Sequence, residues 1–481
     1  MQPNAIPTAR MIAHGHTELR ADLHCARFLL ALCFFFWCFP ASELRLLGGE
    51  GPGEEAAWTA ARLGAFLPPS LGGLGLLAAE RVAPAAYWAA WADALPVLRQ
   101  RFPDVAQQLV RALEGDAVAA PPCVRAAAAA TERLDAAGWE ERPHWAACAD
   151  GAQVPATDGE LGLGGPGWQR RAVLALHTSF RERELLPAMA PDARALFRSQ
   201  SGQHAGMWLA AIPADAAATL APDLMHIALR RRLRLPLPLT ALHCGGDGAP
   251  GCHGQADALG DHFVACPRTG LLPRRGFVLE RAWVQVAREA VGAEGRVVPQ
   301  QWLARTTAPG VAPADRRRLD LVVYGATPGG EALCCDATLV SPLTRAGRPV
   351  PGADVRDGAA LAAARRRKHA RYPELLRGGP QRLVVLAAEV GGRWGEECQR
   401  FVRQLLRLRV QRAPATLRAT AAQGWARRWW GLLSVAVQRA VASTALGVWT
   451  MPALPGSPDG VPLADVLELA DFAGPSRLPL R

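Results

Sequence analysis

At 481 residues, half of them hydrophobic, the chain is long enough for roughly two to four domains and can bury a sizeable core. Its net charge of +11 and pI near 9.6 rest far more on arginine than on lysine. That balance favours phosphate and nucleic-acid partners over a neutral small-molecule role, although a GC-rich coding sequence would also inflate Arg, Ala, Gly and Pro. The eleven cysteines are scattered and cluster only around 244–266 and 334–335, which argues against a secreted disulfide framework and for reduced thiols, some on metal.

Residues 1–52 differ from the rest. The apolar run Phe28–Phe39 is twelve residues long, short of the ~20 a membrane span needs. It also sits late for a signal peptide and lacks a small-residue cleavage site. A buried segment or a misassigned start is the expectation, with membrane association through 28–39 as an alternative. From Trp58 the chain turns helical and Ala-rich. PPSLGGLGLLAAERVAPAAYWAAW reads as a Gly turn followed by amphipathic helices, with Tyr87, Trp88 and Trp91 on one face. Further Ala-rich helices follow over 100–170, broken at Pro121–Pro122 and by the loop GELGLGGPGW at 159–168. No strand precedes that loop, so it reads as a linker and not a nucleotide cradle. In RSQSGQHAGMWLAAIP, Ser201 and His204 lack the strand–elbow–helix setting of a hydrolase and read as a turn before a helix. Arg230–Arg234 holds four arginines in five residues, read equally as a phosphate contact or a solvated helix face.

Cys244, Cys252, His262 and Cys266 give C-x7-C-x9-H-x3-C in a Gly-rich stretch, a zinc pattern in which the last pair lies one helical turn apart. His243 and His253, each beside a cysteine, are alternatives for the remaining ligand. The next helix, RRGFVLERAWVQVAREAVG, carries an apolar stripe of Phe277, Leu279, Trp283, Val286 and Ala290, and Glu280 reads as an exposed glutamate near the helix start. After the strand VVPQQWL come two apolar runs, Leu319–Tyr324 and Ala332–Val340, joined through Gly325, Pro328, Gly329 and Gly330 as a hairpin of buried strands. Each holds one acid where an acid is costly, Asp320 and Asp336. With Lys368 on the following Arg-rich helix, the two acids can hold a divalent cation and set water against a phosphate. The plainer reading pairs one acid with an arginine and puts the other at a strand end. Cys334 and Cys335 should face opposite sides as small core residues. Lys368 and Tyr372, four apart on the helix Gly358–Arg371, should share a face. Glu389 closes the strand RLVVLAAEVGG as a structural cap or a second acid. In the last helix Trp425, Trp429 and Trp430 lie beside Arg427 and Arg428, an arrangement for single-strand contacts or, more commonly, for core and rim.

The stretches RRLDLVV, DATLVSPL and KHARY, together with GDHFVAC, SGQHAGMWL and GGLGL, resemble the C-terminal part of non-LTR retrotransposon polyproteins, over roughly residues 65–450. That family carries a CCHC zinc knuckle followed by a restriction-enzyme-like, PD-(D/E)XK-type endonuclease. The resemblance implies that Asp320 and Asp336 bind Mg²⁺ (or Mn²⁺), that Lys368 stabilises the pentavalent phosphate, and that Tyr372 orients water or a phosphate oxygen. It also implies Zn²⁺ on the Cys/His set and a helix before the hairpin that can lend an acid, here Glu280. Arg316, Arg317, Arg318, Arg365, Arg366, Arg367 and Arg371 would hold DNA. Departures are Leu319 where the family usually has proline or alanine, Thr338 where most of the wider fold has its lysine, and the long first zinc interval. The polymerase signature, an aromatic followed by x-D-D, is absent, so polymerisation is not expected.

The expected fold class is α+β. The segments are an atypical N-terminus (1–52), a helical region (53–240), a zinc knuckle (241–270), an α/β endonuclease domain with a mixed sheet (271–394), a helical tail (395–450) and a flexible end (451–481). The expected activity is metal-dependent nicking of DNA in the nucleus, with DNA and the element's RNA as partners. The alternatives are an inactive nucleic-acid-binding remnant and a membrane-associated protein.

Overall fold

A computed structural model describes residue 58 and residues 61–447, apart from 116–119, 155–166, 240, 242 and 246–249. The run Phe28–Phe39, most of the loop 159–168 and the end 451–481 lie outside the described residues. Among those described, no helix is long and apolar enough to cross a membrane. The fold is mixed, with many helices and one four-stranded sheet. Two compact units form: one within Leu76–Phe180, the other from Ala61–Gly75 and the chain from Arg181 onward. The division falls at Arg181 and not near residue 240, so the helical stretch expected over 53–240 is shared between the units.

The first unit contains α1 (Ala79–Arg101), α2 (Pro103–Glu114), α3 (Pro122–Ala136), α4 (Trp145–Ala149) and α5 (Trp168–Phe180). α2 and α3 open on prolines, whose fixed φ and missing N–H suit a first helical turn. Ala85, Ala89 and Ala92 of α1 and Ala127 and Ala130 of α3 are buried, and their small side chains leave room that indoles fill. Trp88 is fully buried, with the rings of Trp139, Trp145 and Trp168 centred 5.0, 5.3 and 6.0 Å from its own. The edge-on and tilted geometries are those aromatic quadrupoles prefer. Tyr87, expected on the same face, points about 100° round the helix. It is exposed and donates its hydroxyl to the Cys123 carbonyl at 3.2 Å.

The second unit begins with α6 (Pro191–Ser199), α7 (Pro222–Arg232), α8 (Asp261–Ala265) and α9 (Leu271–Val291). Then follow β1 (Arg296–Pro299), β2 (Leu321–Tyr324), β3 (Ala332–Val340), α10 (Ala359–Arg371), β4 (Gln381–Glu389), α11 (Glu396–Val410) and α12 (Arg418–Ala445). The strands lie in the order β1-β2-β3-β4; the first two pairings are antiparallel and β3–β4 is parallel. A parallel pair needs a crossover, which α10 supplies. Strand periodicity sorts the side chains: Leu321, Val323, Leu333, Cys335 and Leu386 join the core under α9, α11 and α12. Val322, Cys334, Val385 and Ala387 join a second core with Leu361 and Tyr372. Sheets covered on both faces read as near-continuous apolar runs, which is why a carboxylate in β3 stands out.

Several expected details change. β2 starts at Leu321, so Leu319 and Asp320 precede it, and β1 stops at Pro299, where Gln300 turns the chain with φ 51°. The helices expected as a tail are core: Trp283 and Val286 of α9 pack in one cluster with Trp429, Leu433 and Val437 of α12. Trp429 donates its indole N–H to Glu289 at 2.8 Å, Arg428 pairs with Glu289 and Asp215, and Arg409 lies over the Trp425 ring at 4.5 Å. This aromatic–basic mixture is therefore packing, not a strand-binding surface. Phe277, expected in the α9 stripe, is exposed, whereas Leu279, Trp283, Val286 and Ala290 are buried.

The arginines of 230–234 are neither a phosphate contact nor a solvated face. Arg230 bonds the Pro236 carbonyl, Arg231 and Arg234 pair with Asp261, and Arg232 donates to the Gly73 and Pro69 carbonyls at 3.0 Å each. They tie the GGLGL stretch and α8 into the unit. The turn carrying Ser201 and His204 is fixed in the same way. Arg393 donates to the Arg198 carbonyl and the Ser201 hydroxyl. A Cβ at Gly391 would come within 2.3 Å of the Ser199 hydroxyl oxygen, so only glycine fits there.

Trp88→Ala should lower stability by about 3–5 kcal/mol, because three further indoles lose their central partner. Urea unfolding followed by near-UV circular dichroism measures it, and a loss below about 1 kcal/mol would contradict the packing described.

Candidate active site and metal centre

Asp336 is the fifth residue of β3 and is only 3% exposed, its side chain on the face covered by α10. Lys368, nearly a full turn before the end of α10, donates its ammonium to Asp336 Oδ1. Asp320, just before β2, accepts the Ala337 N–H on Oδ2 at 2.6 Å, which places it across the hairpin from Asp336. Burial pushes Asp320 up to about 7, with the nearby Asp336 charge acting in the same direction and the Ala337 N–H and Lys368 opposing it. The bare alternative, in which one acid pairs with an arginine, does not occur: the cation on Asp336 is a lysine.

Glu280 is a correction to the sequence reading. It is the tenth residue of α9, not near its start, and is 3% exposed. Burial pushes it up to about 8; a hydrogen bond from Gln300 works against that rise, and the charge of Asp320 adds to it. Its Oε1 has no hydrogen-bond partner among the described residues. Gln300 is the residue that sequence reasoning missed. Its left-handed backbone (φ 51°) lets its N–H reach the Asp320 carbonyl at 2.8 Å while its side chain meets Glu280. Nothing in VVPQQW singles it out.

Tyr372 differs from its expected role. It caps the C-terminus of α10 and is fully buried, and its hydroxyl donates to the Arg318 carbonyl at 3.0 Å. Burial and the charge of Asp336 raise its pKa. With its proton given to the Arg318 carbonyl, Tyr372 braces the segment before Asp320, its hydroxyl also beside Asp336. Glu389, at the end of β4, is a separate buried acid 3.8 Å from Arg393 and pushed up to about 7 by burial; it belongs to the Arg198–Asp357–Arg393 network.

Of the seven arginines expected on DNA, Arg316, Arg318, Arg365, Arg366, Arg367 and Arg371 are exposed. Arg317 is spent internally, on Asp315 at 2.6 Å and Glu374 at 2.7 Å, and Arg365 reaches Glu397 at 2.5 Å. Arg316, Arg318 and Arg371 belong to the segments that carry Asp320 and Lys368.

The metal centre assembles as its spacing suggested. One ligand atom from each of Cys244, Cys252, His262 and Cys266 lies within 4.8 Å of all the others, with Cys244 and Cys266 sulfurs 3.9 Å apart and Cys252 Sγ 3.2 Å from His262 Nε2. Around one zinc, such atoms stand about 3.3–3.8 Å apart, so this three-cysteine, one-histidine set fits the ion. His262 Nδ1 lies 2.8 Å from the Arg345 carbonyl, which can only accept; Nδ1 therefore carries the proton and Nε2 is left for the metal. Asp257 fixes the start of α8 by accepting the amides of Asp261 (3.0 Å) and His262 (2.7 Å). His243 and His253, the alternative ligands, are exposed and outside the set. Among the described residues this is the only cluster of three or more donors so arranged.

The purified protein should carry about one zinc per chain, lost in His262→Ala and kept in Cys123→Ser, as read by elemental analysis. Chelation should lower the unfolding midpoint and zinc should restore it. Equal zinc in both variants would contradict the assignment. For Glu280, unfolding releases a proton between pH 4.5 and about 8, because the folded carboxyl holds it more tightly than the unfolded one. Its contribution to stability is therefore intact below pH 4.5 and lost as pH rises through 8, measured without divalent cations. Glu280→Gln should remove this fall, so its stability relative to the parent should grow between pH 5 and pH 8; a constant difference would mean that Glu280 titrates normally. Neither a protein-family model nor a curated protein matches this chain.

Proposed function

We propose that the unit from Arg181 onward is a metal-dependent DNA endonuclease that nicks one strand, of the restriction-enzyme-like type found in non-LTR retrotransposons. One observation carries the reading. Lys368 is the only lysine in the sequence, and its ammonium sits on Asp336 with Asp320 close by. A chain otherwise served by arginine keeps a compact point charge where a planar fork would not substitute.

The acids carry the donor type that a hard cation takes, although among the described residues only the Cys/His set is gathered as a metal cluster. Hard oxygen donors from Asp320, Asp336 and Glu280 suit magnesium or manganese, and the orphaned Glu280 Oε1 asks for a proton or a cation. Such an ion, when bound, supplies an acidified water and charge neutralisation at the scissile phosphate. The chain's own residues do the rest. Lys368 exchanges one anionic partner, Asp336, for another, the phosphoryl oxygens. Ala337 N–H and Gln300 hold Asp320 and Glu280 in place, and Tyr372 braces the Arg318 carbonyl. The exposed Arg316, Arg318, Arg366, Arg367 and Arg371 contact backbone phosphates, so affinity falls steeply with salt. The zinc set stiffens the loop after β3 and, with the arginines, helps hold the substrate.

The second reading is a nucleic-acid-binding remnant without catalysis. It is favoured by the Lys368–Asp336 ion pair itself, since a lysine already neutralises the carboxylate that a cation would use.

Supercoiled plasmid incubated with the full chain and Mg²⁺ or Mn²⁺ should yield nicked circles. Asp320→Ala, Asp336→Ala and Lys368→Ala should each lower the rate by about 10²–10³-fold, the usual effect of losing one preorganised charge. Lys368→Arg should fail to restore it. Salt-sensitive binding with no nicking supports the remnant, and nicking that survives Asp336→Ala sinks the catalytic assignment.

A further inference from the structure

Trp302 lies beside the acid site and has no part in the chemistry above. Between β1 and β2, residues 301–303 run antiparallel to residues 317–319: Leu303 N–H bonds the Arg317 carbonyl and Leu319 N–H the Gln301 carbonyl, both at 2.8 Å. Leu303 and Leu319 are fully buried beneath this ribbon. Trp302 and Arg318, directly paired across it, are both exposed. The Arg318 guanidinium lies over the Trp302 ring, 5.6 Å from its centre. Every other described tryptophan is buried or partly buried, whereas Trp302 is 38% exposed. The uncovered part of this indole forgoes burial that the other described tryptophans obtain more fully. An indole held rigidly by a ribbon, with a guanidinium on its face, is a surface on which a flat, electron-rich ring can stack.

Its position selects the ring. Arg318 is two residues from Asp320, its charge acts on Glu280, and its carbonyl is held by Tyr372. The stack therefore adjoins the acids and the exposed Arg316 and Arg371. We propose that Trp302 and Arg318 form a stacking subsite for an unpaired nucleobase of the nucleic-acid substrate, next to the phosphate held at the acids. This rests on the nucleic-acid reading of that site. A base inside a duplex keeps its faces covered by its neighbours; the subsite thus favours single-stranded or locally opened substrate over paired DNA.

The test is fluorescence anisotropy of a labelled single-stranded oligonucleotide and of its duplex, with full-length protein and no divalent cation. The parent protein should bind both, and more weakly as salt rises. Trp302→Ala should weaken single-strand binding by about five- to a hundredfold, the range for loss of one aromatic platform, and duplex binding by less than about twofold. Its salt dependence should be unchanged, because stacking releases no counterions. Trp302→Phe, which keeps a π-face, should stay within about threefold of the parent. The subsite is overturned if Trp302→Ala binds single strands normally, if it weakens both substrates equally, or if Trp302→Phe loses as much as the alanine variant. Failure of the parent to bind either substrate would instead overturn the nucleic-acid reading, and the subsite with it.

Discussion

The second unit depends on a buried charge being answered. Asp336 sits in the middle of a strand covered on both faces, where an unpaired carboxylate would cost several kcal/mol. It is answered by one ammonium, from the helix that makes the crossover between β3 and β4. Lys368 thus fixes the seating of α10 over the sheet, and α10 in turn places Tyr372 under the Arg318 carbonyl. Replacing the pair with apolar residues of similar volume would cost little or even stabilise the fold. Asp320 lies close to both members of this pair, and Glu280 lies close to Asp320; burial raises the pKa of each of these two acids.

The metal centre is joined to this sheet through its outer contacts. His262 reaches the Arg345 carbonyl, five residues beyond β3. Arg275 of α9 is buried and spans from the Val264 carbonyl in α8, at 2.7 Å, to the Leu339 carbonyl in β3, at 3.0 Å. These two links tie the Cys/His set to the end of the strand that carries Asp336.

Much of the site was legible because polar residues interrupt apolar runs. Asp320 and Asp336 stand in otherwise uniform hydrophobic stretches, and strand periodicity assigned Cys334 and Cys335 to opposite faces. The Cys/His set was legible in its spacing, because H-x3-C joins neighbours on one helical turn. Illegible were the features decided by what packs against a segment. Glu280 looks like a surface glutamate until β1 and β2 cover its side of α9. Arg230–Arg234 looks like a solvated run until carbonyls of Pro69, Gly73 and Pro236 absorb it. Gln300 gained its role from a backbone turn that no side-chain pattern encodes. The last helix looked like an appendage because its small residues and tryptophans do not reveal which neighbour they are shaped for.

The solitary lysine has one further consequence. Reagents and enzymes that acylate side-chain amines have a single target in this sequence, and its side chain is 21% exposed against the buried Asp336. Loss of that one positive charge would leave Asp336 uncompensated inside the sheet, so such a modification would reach the fold and the site together. Arginine elsewhere carries the chain's charge without offering that handle. Side-chain amine chemistry is thereby confined to the residue that neutralises Asp336.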